Sequence, residues 1–258
     1  MGTAGKRASV GCGAATGGQS VPGCYNPAMP DSPVLVITGA SSGIGAATAR
    51  RAVEFDYRVV LAARSHEKLD GLAEELGGPE RALAVRCDVT SWDDQQALVA
   101  TALERFGRLD VFFANAGFGA KRGFLEESVE RWKAMIDTNV LGAALSIRAC
   151  LPHFRERNSG HVLLTSSVAG RRWVIGSLYS CTKHAVTAMG ESLRQEVAET
   201  DIKVTLIEPG MVDTPFFDDR PSGALEPDDV ARAVMFALTQ PPHVDVNEVL
   251  VRPVHQPF

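Results

Sequence analysis

Residues 34–45 read Val-Leu-Val-Ile-Thr-Gly-Ala-Ser-Ser-Gly-Ile-Gly, and few folds accommodate that string. The β-branched apolar run Val34 to Ile37 has the pattern of a strand buried on both faces, as in a parallel sheet. Gly39, Gly43 and Gly45 follow at once. From Ala46 to Phe55 the chain reads as a helix, with Ile44, Ala47, Thr48, Arg51 and Ala52 at helical spacing. Strand, glycine turn and helix together are the context of a loop that holds a dinucleotide. Glycine permits positive φ and lets the backbone approach a pyrophosphate. The helix N-terminus adds unpaired N–H groups and the positive end of a dipole.

The rest of the chain repeats this strand–helix alternation. Strands are expected at 58–62, 82–86, 111–113, 161–165, 204–208 and 248–251. Helices are expected at 66–76, 93–106, 129–157, 178–199 and 227–238, with Pro152 kinking or breaking the long fourth one. The pattern predicts an α/β fold, a doubly wound parallel sheet (Rossmann fold) in a single domain over residues 32–258. Residues 1–31 are rich in Gly, Ala, Ser and Pro without periodicity and read as a disordered tail.

Composition narrows the class. The 258 residues carry a net charge of −5 and show no clustered basic stripe, which argues against a nucleic-acid partner. No run approaches 18 consecutive apolar residues, so no membrane span is expected. Met1-Gly2 fails the myristoylation pattern because Lys6 stands where Ser or Thr is needed. Five dispersed cysteines give neither a disulfide framework nor a metal spacing, so a reducing, cytoplasmic setting is expected and no metal site.

Tyr179 and Lys183 stand four residues apart, one turn apart on one helix face. A nearby ammonium favours the phenolate, which would bring a tyrosine into range for general acid–base work. This pair, together with Thr38-Gly39-x-x-x-Gly43-x-Gly45, resembles the short-chain dehydrogenase/reductase family over roughly residues 33–253. The resemblance implies a nicotinamide cofactor held by Gly39, Ser41, Ser42, Gly43, Ile44 and Gly45, by Asp88 and Val89, and by Asn115-Ala116-Gly117. Asn115-Ala116-Gly117 matches a family motif in which Ala114 replaces a usual Asn. Pro209, Gly210, Val212 and Thr214 would line the nicotinamide. At the end of the second strand an acid would favour NAD; here Ala63 and Arg64 stand instead, as in relatives that prefer NADP (NADPH), because an Arg fork pairs with a 2′-phosphate. Ser42 stands where some of those relatives carry a basic residue, and NAD is the alternative.

The resemblance assigns the chemistry to Asn139, Ser167, Tyr179 and Lys183. Tyr179 would exchange the proton at the substrate oxygen, and Lys183 would lower its pKa and hold the nicotinamide ribose. Ser167 would polarise the carbonyl, and Asn139 would hold a water of a proton relay. The family serine usually lies thirteen residues before the tyrosine. Here Ser166 has that spacing and Ser167 is twelve before, though Ser167 has the matching Ser-Val-Ala-Gly context. Only one of two adjacent strand residues can face the substrate. Trp173, Val174, Ile175, Phe118 and Phe216 are candidate pocket walls, and the short 216–225 segment predicts an open site. The implied activity interconverts a ketone or aldehyde with an alcohol. A cofactor-binding regulator without turnover, or an isomerase or lyase on the same scaffold, are the alternatives. A homodimer or homotetramer is implied, joined through helices 129–157 and 178–199, the second offering the small residues Ala185, Ala188 and Gly190.

Overall fold

The structure, a computed structural model, describes residues 32–216 and 222–256. The expected 1–31 tail and part of the 216–225 segment lie outside the described residues. In chain order the elements are β1 (Val34–Thr38), α1 (Gly43–Glu54), β2 (Arg58–Ala63), α2 (His66–Glu75), β3 (Ala82–Arg86), α3 (Trp92–Phe106), β4 (Val111–Ala114) and α4 (Val129–Ile136). A π-helical segment (Asp137–Leu141) then leads into α5 (Gly142–Arg157), β5 (Ser159–Thr165), a 3-10 turn (Val168–Gly170), α6 (Leu178–Glu196), β6 (Asp201–Pro209), α7 (Pro227–Leu238) and β7 (Glu248–Val251).

All seven strands are parallel, in the order β3-β2-β1-β4-β5-β6-β7. The strand order reverses between β1 and β4, and the crevice beyond the carboxyl ends of those strands is where such sheets bind ligands. The apolar runs are explained by burial on both faces. Val34 and Val36 pack into one core layer with Phe112, Val162 and Leu164, while Leu35 and Ile37 pack into the other with Phe113 and Leu163. Side chains alternate across a strand, so a strand covered on both sides must be apolar at every position.

One expectation about the long helix is corrected. Pro152 does not break it: α5 continues to Arg157. Pro152 faces solvent, where water can satisfy the carbonyl freed by its missing N–H. The irregularity instead lies at Asp137–Leu141, where the helix widens by one π turn. By length and composition the span Val129–Arg157 is apolar enough to cross a membrane. Its buried positions Met135, Ala143, Ser146, Cys150 and Phe154 face inward, and Ser146 accepts a 3.0 Å hydrogen bond from the fully buried Gln95 of α3.

Candidate active site

The glycine loop is held by close backbone approach. Gly39 has φ +68°, and a Cβ there would lie 2.9 Å from Ala116 Cα. A Cβ on Gly45 would lie 2.4 Å from the Gly39 carbonyl oxygen, so the first turn of α1 sits directly on the loop. At the start of α1 the Ser42 side chain makes no capping bond and the first turn carries no acid. In α3, by contrast, Ser91 caps the Asp94 N–H and two aspartates occupy the first turn. The α1 N-terminus therefore keeps its donors and its dipole for an anion.

Next to the loop the three central strands are cross-linked at their carboxyl ends. Thr38 Oγ1 accepts from the Asn115 and Ala116 N–H groups at 3.0 and 3.2 Å. Asn115 Nδ2 donates to the Thr38 carbonyl at 3.0 Å, and Asn115 Oδ1 accepts from Thr165 Oγ1 at 3.0 Å. One side chain thus ties β1, β4 and β5 together. At the far end Arg64 lines the cavity beside Asp88. The Asp88 carboxyl lies below the usual carboxylate range, chiefly because it accepts from the Thr90 N–H, with Arg64 contributing.

The acid–base end is built on the first turns of α6. Lys183 is 4% exposed, and its Nζ donates to the Thr165 carbonyl at 2.7 Å. Its Nζ lies 5.6 Å from the Tyr179 ring centroid. Tyr179 is half-buried, packs edge-on against Phe216 at 5.2 Å and has Ser167 beside its hydroxyl. Desolvation pushes the Tyr179 phenol up to about 12, with Ser167 opposing, and pushes the Lys183 ammonium down to about 8. Burial is the largest influence on the phenol in this structure, and at neutral pH the phenol holds its proton.

The two serines point to different sides. Both line the cavity with Tyr179, and Ser167 Oγ donates to the Pro209 carbonyl at 3.2 Å. Ser166 Oγ is 2.7 Å from Thr187 Oγ1 and donates to the Lys183 carbonyl at 3.1 Å, directed back at α6. Asn139 lies in the π segment. Its amide exchanges hydrogen bonds with the Phe118 backbone at 2.9 and 3.0 Å and donates to Thr182 Oγ1 at 3.2 Å. It anchors the loop after β4 to α6, and across Gly117 it faces the same space as Lys183 Nζ.

A cavity of about 840 Å³ gathers these residues, large for a small-molecule site. Its lining includes Gly39, Ser41, Ser42, Gly43, Ile44, Arg64, Asp88, Val89, Asn115, Ala116, Gly117, Ser167, Tyr179, Lys183, Pro209, Gly210, Val212 and Thr214. Gly45 and Asn139 stand one layer behind. Phe118, Val174 and Phe216 form wall, but Trp173 and Ile175 are 88% and 92% exposed and do not line it, which corrects their assignment. Gly190 is also corrected: it faces Leu206 in the core, 2.6 Å from where its Cβ would be, and offers nothing to a partner helix.

Sequence reasoning missed several lining residues. Thr165 at the end of β5 bonds both Asn115 and Lys183, a role readable only once those strands are adjacent. Gln256 arrives from the far end of the chain and accepts from the Met211 N–H at 2.8 Å, with no local signal at all. Arg122 and Arg172 enter the lining from two loops.

The short chain dehydrogenase family model matches residues 33–224. An uncharacterized oxidoreductase of Staphylococcus haemolyticus is 44% identical over 225 residues, covering 86% of this chain and 97% of its own. The alcohol dehydrogenase of the archaeon Thermococcus sibiricus, complexed with 5-hydroxy-NADP, superposes with a TM-score of 0.81 at 33% identity, over 88% of this chain and 98% of that one. A serine dehydrogenase complexed with NADP+ gives 0.81 at 31% identity, over 87% and 96%. A Burkholderia phymatum short chain dehydrogenase/reductase in complex with NAD gives 0.77 at 28%, over 85% and 89%.

Proposed function

This chain belongs to the short-chain dehydrogenase family and is an oxidoreductase, and from that premise we propose that it uses NADP(H) to interconvert a ketone or aldehyde with an alcohol. The observation that carries the proposal is the meeting of Tyr179, Ser167 and Lys183 at one end of a cavity whose other end is the uncapped α1 N-terminus. The residues present suit a dinucleotide: the glycine loop gives phosphates backbone access, and Asp88, Arg64 and Thr214 line the path beside it. Ala63 and Arg64 favour a 2′-phosphate over a bare ribose, because a carboxylate would repel it and a guanidinium pairs with it. The cofactor would supply or accept the hydride.

In this reading Ser167 donates a hydrogen bond to the substrate oxygen and Tyr179 exchanges the proton there. The phenol is already protonated at neutral pH, as a general acid for carbonyl reduction must be. Lys183, charged below about pH 8, stabilises the phenolate left behind. Asn139 and Lys183 share the space over Gly117, where a water would connect the ammonium to solvent. We further propose a homo-oligomer in the cytoplasm. The exposed apolar residues Val129, Ile136 and Leu141 lie along the 129–157 helices that would join the subunits, and Cys87, Cys150 and Cys181 are free thiols. Gel filtration returning the mass of a single chain would contradict the assembly.

The test is oxidation of NADPH, with NADH in parallel, against aldehydes and ketones, run beside Tyr179→Phe. NADPH-preferring turnover that collapses in the variant supports the reading. Binding of NADPH with no turnover of any carbonyl would favour a regulatory role, and conversion without change in the cofactor an isomerase or lyase.

A further inference from the structure

Arg171 and Arg172 are neighbours with opposite fates. Arg171 donates through Nε to Glu208 at 2.7 Å and also pairs with Glu248, which pins the start of the loop 171–177 to β6 and β7. Arg172 is exposed, lines the cavity, and has no ion-pair or side-chain hydrogen-bond partner among the described residues. Arg122, on the loop after β4, is the same: exposed, cavity-lining and unpartnered. The two loops are stapled to each other by a 2.7 Å bond from the Gly123 N–H to the Gly176 carbonyl. Ser180 Oγ, one residue from Tyr179, donates to the Arg172 carbonyl at 3.2 Å and fixes that loop on the turn that carries the acid–base pair.

The charge of the lining is lopsided. Among the described residues Asp88 is its single carboxylate and sits beside Arg64 at the opposite end. Around Tyr179 the lining offers Lys183, Arg122 and Arg172 and, among the described residues, no acid, between the apolar walls Phe118, Val174 and Phe216. Glu126 and Glu127 on the same loop as Arg122 fall outside the lining, and Glu127 accepts from the Lys121 and Ser128 N–H groups. Unpaired guanidinium groups at the end of a cleft away from its carboxylate select anions, and the planar fork matches a carboxylate at two points.

We propose that Arg122 and Arg172 form an anion-recognising rim, and that the substrate is a carbonyl compound, or its alcohol, bearing a carboxylate. The carboxylate takes no part in the redox step. It docks at the rim while an apolar body spans the walls and places the carbonyl at Ser167 and Tyr179. This inference rests on the oxidoreductase reading above.

The experiment compares kcat/KM with NADPH for 4-carboxybenzaldehyde, its methyl ester and 4-formylphenyl phosphate, in wild type, Arg122→Gln, Arg172→Gln and the double variant. We expect the acid to be favoured over the ester by about tenfold or more, through KM, with the preference shrinking in each single variant and vanishing in the double. Equal use of acid and ester, or an acid-to-ester ratio unchanged in the double variant, overturns the proposal. Preference for the phosphate over the carboxylate overturns the assignment of the group. Calorimetric titration of 4-carboxybenzaldehyde into NADP+-saturated protein, where no reduction is possible, separates this inference from its premise. Arginine-dependent binding without turnover of any carbonyl would sink the oxidoreductase reading and leave the rim standing. Turnover without arginine-dependent binding would do the reverse.

Discussion

The two ends of the cavity are built on different principles. At the glycine-loop end, position is set by backbone. Gly39, Gly45, Thr38 and Asn115 are locked by contacts and hydrogen bonds that allow little else, and every strand involved is central to the sheet. At the rim end, position is set by two exposed loops stapled through one backbone bond, and the groups that face the ligand are long, solvated side chains. A fixed cradle suits a ligand whose phosphates never vary. A rim of side chains on loops is where one scaffold can take a new substrate without disturbing the sheet.

The comparison breaks most visibly between the ends, at Tyr179. Tyr179→Phe removes the proton donor while keeping the ring that packs on Phe216, so kcat should fall about a thousandfold with NADPH affinity retained, as stopped-flow and fluorescence titration would show. The pH profile sharpens this. Reduction needs the phenol protonated, which holds up to about 12, and Lys183 charged, which holds up to about 8. The reductive rate should be flat below pH 8 and fall above it. Alcohol oxidation needs the phenolate and the ammonium together, so its rate should climb toward pH 8 and then level off. A reductive rate that rose through pH 8 would contradict the Lys183 assignment.

Ser167→Ala comes next, with a loss of about a hundredfold in kcat if its hydroxyl polarises the carbonyl. At the fixed end, Gly45→Ala would drive a methyl into the Gly39 carbonyl. The expected result is a stability loss of about 1–3 kcal/mol with weakened NADPH binding, read by denaturant melts and titration. Arg64→Ala should reduce the NADPH-over-NADH preference by about tenfold, with catalysis on NADH barely altered. An unchanged preference would move the 2′-phosphate contact elsewhere.

The same contrast explains what could be read from the sequence. Strands buried on both faces announce themselves as apolar runs, so β1 and the order of elements were legible, as were the glycine loop and the Tyr179–Lys183 turn, which are local in sequence. The π segment at Asn139 was not, because one extra residue in a helical turn leaves apolar periodicity almost unchanged. The facing of 173–175 was also hidden. In an extended loop the phase of alternation is set by tertiary contacts, and here Val174 turns inward while the bulkier Trp173 and Ile175 turn out. Nothing local distinguishes Arg172 from Arg171, because Glu208 and Glu248, which claim Arg171, lie on strands distant in sequence.

The smallest effect is the sharpest test of that reading, since it separates two adjacent serines that spacing left open. Ser166 Oγ is 1% exposed by residue and committed to Thr187 and the Lys183 carbonyl, on the side of β5 that faces α6. Ser166→Ala removes those bonds and leaves Thr187 Oγ1 without its 2.7 Å partner, so it should cost about 1 kcal/mol of stability. Its kcat should stay within a few-fold of wild type, because its hydroxyl is committed to Thr187 and the Lys183 carbonyl. Ser167→Ala should show the reverse pattern, losing turnover with little change in melting. If Ser166→Ala instead lost turnover while keeping its stability, the thirteen-residue spacing would outrank the geometry, and the hydroxyl that meets the substrate would be Ser166.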